Sequence, residues 1–266
     1  MSLQQTFACA NPVALVTGSA APRVGRAIAL RLASLGCRLV IHARKSLNEA
    51  EEVANHLREQ GTEVLVAKAA MENAAAVEEM IDATIQRFGR IDILVNSAGI
   101  WEPTRLEDVT ADDVRRYFDV NALGCFVAAR AAGLKMVSQA SGGAIINISD
   151  WATCRPYLNH AAYFPSKGAV EAMTRSLAVE LAHRNPNIRV NCIQPGPVLL
   201  GDDVDDATRQ AIADSVLLKR VGTAEEVAHA VEFLCVNRFV TGVTLPIDGG
   251  KSIYANDGLQ SGLNTG

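Results

Sequence analysis

A chain of 266 residues with 49% apolar and 20% charged side chains is long enough for one large α/β domain and too apolar to remain disordered. A formal net charge of −4 argues against a nucleic-acid partner, which usually shows a basic face. The five histidines and six cysteines include no HxxxH or CxxC, so there is no metal-ligand spacing and no disulfide framework; buried thiols in a reducing compartment fit better.

The N-terminus carries no basic region followed by an apolar segment, and no uninterrupted apolar run approaches membrane-spanning length. The expectation is a cytoplasmic protein with no membrane partner. Val13 to Val16 reads as a first buried strand. A helical apolar pattern starts near Val24, with Ile28, Leu32 and Leu35 at helical spacing. Between them, from Gly18 to Gly25, lies a turn of small residues. Such a turn lets a backbone approach a pyrophosphate, and the helix N-terminus behind it attracts negative charge. An ordinary βα turn would look similar, and the middle glycine of GxGxxG is replaced by Arg23. Arg23 is placed to reach a phosphate or ribose.

Arg38 to His42 is the second strand, followed by Arg44, Lys45 and Ser46. In a dinucleotide fold this position meets the adenosine ribose; an acid there suits a free 2′-OH and arginine a 2′-phosphate. With no acid before Glu49, the reading favours NADPH over NADH. The alternative is a basic surface loop with Ser46 as a helix cap. Leu47 to Gln60 is an amphipathic helix and Glu63 to Ala67 a third strand. Ala74 to Phe88 is a helix closed by Gly89. Ile91 to Val95 is a fourth strand. The small residues from Asn96 through Ala98 to Gly99 leave room for a cofactor at its end. Thr110 and Asp113 resemble a capping pair for one long helix over 111–138, with Asn121 inside it in need of a partner.

Ala144 to Ser149 is the fifth strand, leading to Asp150. Ala162 to Ala182 is a helix in which Tyr163 and Lys167 stand one turn apart on one face. A lysine ammonium beside a phenol lowers the tyrosine pKa from about 10. A phenol tuned this way exchanges a proton near neutral pH. Ile188 to Ile193 is the sixth strand and ends in Pro195 and Gly196. The Asp-rich stretch that follows, about 195–222, reads as a lid over substrate. A helix from Ala224 to Cys235 and a strand from Val243 to Ile247 complete the pattern, and 255–266 reads as a loose tail. No linker or repeat divides residues 1–266. Strands alternating with helices predict a single-domain α/β fold with a doubly wound, mostly parallel sheet.

The order TGxxxxxxG (17–25), NSAG (96–99), Asn121, YxxxK (163–167), PGP (195–197) and DGG (248–250) resembles the short-chain dehydrogenase/reductase family over about 12–252. The resemblance implies a Rossmann fold, a nicotinamide cofactor and commonly a homotetramer. It implies Tyr163 as proton donor. Lys167 would lower the pKa of Tyr163 and hold the nicotinamide ribose. Asn121 would support a water relay. Gly18, Val24, Gly25, Asn96, Ala98, Gly99, Pro195 and Gly196 would line the cofactor.

The chain departs from the family pattern in four places. Arg23 replaces the middle glycine, and Ala70 stands where an acid often meets adenine. Val198, Leu199 and Leu200 replace a threonine after the PG turn. Asp150, rather than serine, lies 13 residues before the tyrosine, with Ser149 one residue off register. An ionised aspartate accepts hydrogen bonds and repels a developing alkoxide. It suits a substrate presenting N–H groups, or a proton relay with Tyr163. Arg23, the basic Arg44-Lys45-Ser46 run and the Asp-Tyr-Lys spacing are similar to the pteridine reductases of that family. There an aromatic residue stacks on the pterin, and Trp101 holds the matching position; a packing role is the alternative. The resulting expectation is an NADPH-dependent reductase of a pterin-like C=N bond. Arg23, Trp101, Asp150 and Tyr163 would bind substrate, and Tyr163, Lys167, Asp150 and Asn121 would carry the chemistry. The rivals are a ketone or 3-oxoacyl thioester reductase using Ser149, and a non-catalytic NADPH-binding sensor or scaffold.

Overall fold

The computed structural model describes residues 1–201 and 204–254. Seven strands form one sheet: β1 (Val13–Val16), β2 (Arg38–Ala43), β3 (Val64–Lys68), β4 (Ile93–Asn96), β5 (Gly143–Ile148), β6 (Ile188–Pro195) and β7 (Thr244–Ile247). Their order is β3-β2-β1-β4-β5-β6-β7, and every pairing is parallel. This is the doubly wound Rossmann arrangement that the alternating pattern predicts.

Side chains alternate between the two faces of a strand, so each strand feeds two cores. Ala14, Val16, Leu39, Ile41, Ile93 and Val95 pack with α2 (Val24–Ser34), α3 (Leu47–Glu59) and α9 (Ala224–Val236). Leu15, Val40, Leu94 and Ile145 pack with α4 (Ala74–Phe88), α6 (Gly124–Val137) and α7 (Tyr163–Arg184). A short helix that the sequence reading did not anticipate, α1 (Leu3–Phe7), is closed by a Ser2–Gln5 capping box and buries Leu3 and Phe7 in the first core. Asn73 caps α4, and Gly89 ends it at φ 76°, a conformation glycine adopts without strain.

The long helix expected over 111–138 is not uniform. It comprises α5 (Ala111–Tyr117), a π-helical turn over Phe118–Leu123, and α6. The Thr110–Asp113 capping box is present. The wide turn carries Asn121, and such turns gather at functional sites. By length and composition Ala111–Val137 could cross a bilayer, although no single uninterrupted apolar run does so; 61% of its most apolar window is buried inside the domain. After β6, α8 (Asp206–Asp214) starts at an Asp205 cap. Asp202 and Asp203 of the predicted lid, and the predicted tail over 255–266, lie outside the described residues. Cys37, Cys125, Cys192 and Cys235 are buried free thiols, whereas Cys154 is exposed rather than sunk in an apolar element.

Candidate active site

The sheet order reverses at β1, between β2 and β4, and α/β folds open a crevice at the carboxyl ends of such strands. A cavity of about 520 Å³ lies there, reaching from Arg44 and Glu72 past Gly18 and Arg23 to Asp150, Tyr163 and Lys167.

Backbone packing shapes the first end. Gly18 has φ +68°, and a Cβ on it would stand 2.9 Å from Ala98 Cα. A Cβ on buried Gly25 would stand 2.5 Å from the Gly18 carbonyl oxygen, so only glycine lets α2 sit this close to the turn. Thr17 Oγ1 accepts from the Ser97 and Ala98 N–H groups at 3.0 Å each, tying β1 to the loop after β4. Arg23 and Val24 line the cavity at the start of α2, and Arg23 makes no side-chain cap. Of the predicted basic run only Arg44 lines the cavity; Lys45 and Ser46 are exposed and do not. Ser46 stands at the N-cap position of α3 without a side-chain bond. Arg44 is paired with Glu72, an acid just beyond the expected Ala70.

His42, which the sequence reading passed over, also lines this end. Its Nδ1 lies 2.9 Å from the Gly18 nitrogen and accepts that N–H. Nε2 therefore carries the proton and donates to the Ala69 carbonyl at 3.0 Å. Burial pulls its pKa below the ordinary histidine value.

Asn96 does not line the cavity as expected. It is buried, and its amide donates to Asn147 Oδ1 at 3.0 Å and Cys125 O at 3.3 Å, joining the strand ends. Ala98, Gly99, Pro195 and Gly196 do line it. Asn121 stands behind Gly99. Its Oδ1 accepts from Ile100 N at 2.8 Å, and its Nδ2 donates to Ile100 O and Ser166 Oγ at 3.1 Å each. These bonds supply the partners its buried amide requires.

At the second end Tyr163 donates its hydroxyl proton to Asp150 Oδ2 at 2.9 Å. Asp150 Oδ1 accepts from Ala152 N at 2.8 Å, capping the turn Trp151–Thr153. Burial raises the Asp150 pKa above the ordinary carboxylate range. Lys167 is buried and donates to the Ile148 carbonyl at 2.9 Å, with Nζ 6.0 Å from the Tyr163 ring centroid. The sequence reading expected Lys167 to lower the Tyr163 pKa. The net direction is upward instead: burial, then the Asp150 charge, pushes the phenol well above its usual value. Burial in turn lowers the Lys167 pKa, with Asp150 opposing.

Ser149 also lines the cavity, but its hydroxyl is engaged away from Tyr163. Its hydroxyl donates toward Glu171 Oε1 at 2.7 Å and the Lys167 carbonyl at 3.1 Å, on the α7 side of the sheet. One residue along a strand reverses the side chain, so Asp150, not Ser149, meets Tyr163. Trp101 lines the cavity, half exposed. Its indole stacks on His160 at 4.7 Å and 20°, and its Nε1 donates to the Tyr157 hydroxyl at 3.2 Å. The imidazole covers one face of the indole, so a flat ligand has only the other to stack on.

An elongated cavity with a tight glycine turn, Arg23 and Arg44 on its wall and a proton-bearing phenol at its far end fits a nicotinamide dinucleotide.

A family model described as "Enoyl-(Acyl carrier protein) reductase" matches residues 19–252. The chain is 34% identical to a 3-oxoacyl-[acyl-carrier-protein] reductase of Synechocystis over 91% of this chain and 97% of that protein. It is 36% identical to a short-chain type dehydrogenase/reductase of Picea abies over 90% of this chain and 92% of that protein. It is 34% identical to an NADPH-dependent aldehyde reductase-like protein of Arabidopsis thaliana, over 93% and 96% respectively.

Proposed function

The chain belongs to the short-chain dehydrogenase/reductase family, and from that premise we propose that it is an NADPH-dependent reductase of a carbonyl compound with Tyr163 as proton donor. The names of the relatives favour this carbonyl reading over the pterin-like one. The single observation that carries the chemistry is the Tyr163–Asp150 hydrogen bond at the inner end of the cavity, with Lys167 buried beside it. The bound nicotinamide supplies hydride. Tyr163 holds the proton that the reduced substrate takes up, and the Lys167 ammonium stabilises the phenolate left behind. Asp150 occupies the position of a donor hydroxyl. Both of its oxygens accept, one from the Tyr163 hydroxyl and one from the Ala152 N–H, so it orients the phenol that bears the proton. Asn121 braces the loop at Gly99. Arg23 and Arg44 line the other end of the cavity and would meet the phosphates, Arg44 in exchange for its pair with Glu72, and on that the NADPH reading rests.

A second reading, reduction of a pterin-like C=N bond, rests on Asp150 itself and on Trp101. An ionised Asp150 accepts from ring N–H groups, and the indole flanks a flat heterocycle. NADPH oxidation is followed with an acetoacetyl thioester, aldehydes and ketones beside dihydrobiopterin and dihydrofolate, for wild type and Asp150→Ser. Turnover of carbonyls, kept or improved by serine, supports the first reading. Pterin-selective turnover lost in the variant overturns it in favour of the second. Tight NADPH binding with no turnover on any substrate favours a sensor or scaffold. By family analogy we propose a homotetramer. Sedimentation tests the assembly.

A further inference from the structure

The adenosine end of the cavity is built from three strand ends far apart in sequence, and one side chain joins them. The Gly18 N–H donates to His42 Nδ1, and His42 Nε2–H donates to Ala69 O beyond β3, at 2.9 and 3.0 Å. The backbone of the same residue adds two more ties. The Ser19 N–H donates to His42 O at 3.2 Å, and the His42 N–H donates to Ser19 Oγ at 3.1 Å. Thr17 fixes the other side of the turn to Ser97 and Ala98. The turn is thus clamped from β2 and from β4. An apolar core residue at position 42 would fill the space and leave the Gly18 N–H without an acceptor.

We propose that His42 is a positioning residue for the cofactor: its neutral imidazole, donating at Nε2 and accepting at Nδ1, orients the Gly18 turn for the dinucleotide. The inference rests on the cofactor reading above. The two tethers make unequal demands. The Gly18 bond orients the turn that faces the ligand. The Ala69 bond only anchors the ring. Asparagine places Oδ1 where Nδ1 stands and keeps the first tether. Glutamine places Nε2 near the second and keeps only that one.

The test measures NADPH dissociation constants by fluorescence titration, with kcat and KM for NADPH, in wild type, His42→Asn, His42→Gln and His42→Leu. The expected result is NADPH binding weakened about tenfold in His42→Gln and His42→Leu, the scale of one backbone N–H losing its partner. His42→Asn stays within about threefold of wild type, and kcat at saturating NADPH is unchanged in all. A purely structural role would make the losses follow melting temperature and treat Asn and Gln alike. Equal binding by His42→Asn and His42→Gln overturns the inference, as does a fall in kcat with KM unmoved. Should His42→Leu not fold, the Asn and Gln pair decides. Absence of dinucleotide binding by wild type overturns the cofactor reading itself, and this inference with it.

Discussion

The two ends of the cavity are made in different ways. At the adenosine end, nearly every tie runs to the main chain: His42 and Thr17 hold peptide groups, and Gly18 and Gly25 let backbones touch. At the chemical end main-chain ties, Lys167 to Ile148 O and Asp150 to Ala152 N, are joined by pairs between side chains: Tyr163 to Asp150, Trp101 to His160 and Tyr157, Ser149 to Glu171. Peptide groups are the same in every residue, so the first end keeps its shape unless a clamp is removed. Side-chain pairs change with each substitution, so the second end sets the reaction. Mutations at the first end belong in KM for the cofactor, and those at the second in kcat and substrate choice.

The largest expected effect strikes the second end. Tyr163→Phe removes the proton donor and lowers kcat about 10³-fold, while NADPH binding by titration moves less than twofold. A parallel loss of binding would break the division. Gly18→Ala probes the first end. Alanine there is strained at φ +68° and meets Ala98. NADPH KM should rise about tenfold with kcat preserved, read from initial rates. Trp101→Ala should raise substrate KM a few-fold, about the worth of one aromatic contact, and leave NADPH KM unmoved.

Asp150 adds a pH signature. Burial raises its folded pKa above the unfolded value, so the native state binds more protons between the two. This contribution to stability is fully present below the unfolded pKa and lost as pH rises through the folded one. In urea melts across that window, the unfolding free energy of wild type relative to Asp150→Asn should fall as pH rises. The smallest expected effect is that of Glu72→Gln. Its pair with Arg44 is part-exposed, and melting should shift by less than about 0.5 kcal/mol equivalent.

Much of this molecule could be read from its residues. Strand ends and helix caps such as Gly89 and Thr110 announced themselves locally, and the Tyr163–Lys167 spacing placed the helix of the chemical end. Boundaries shifted by a residue or two, as assignments do. What escaped had its partners elsewhere in the chain. His42 looks like any core residue in its strand, because it meets Gly18 and Ala69, 24 and 27 residues away. Asn96 turned inward because Asn147 stands beside it, 51 residues on. The Tyr163 pKa was read from Lys167 alone, whereas burial and Asp150 decide it. The π-helical turn carries Asn121 to Ile100 and Ser166, contacts that no local pattern encodes.

An all-parallel sheet has a kinetic corollary. No two of its paired strands are joined by a hairpin, and the central pairing brings Thr17 to Val95 across 78 residues. Closing such loops is slow, and folding rates fall as contacts become less local. The cavity straddles those late pairings, so no fragment of the chain can present it early. During refolding from urea, capture of the dinucleotide should therefore trail the return of helical circular dichroism and arrive with the last phase.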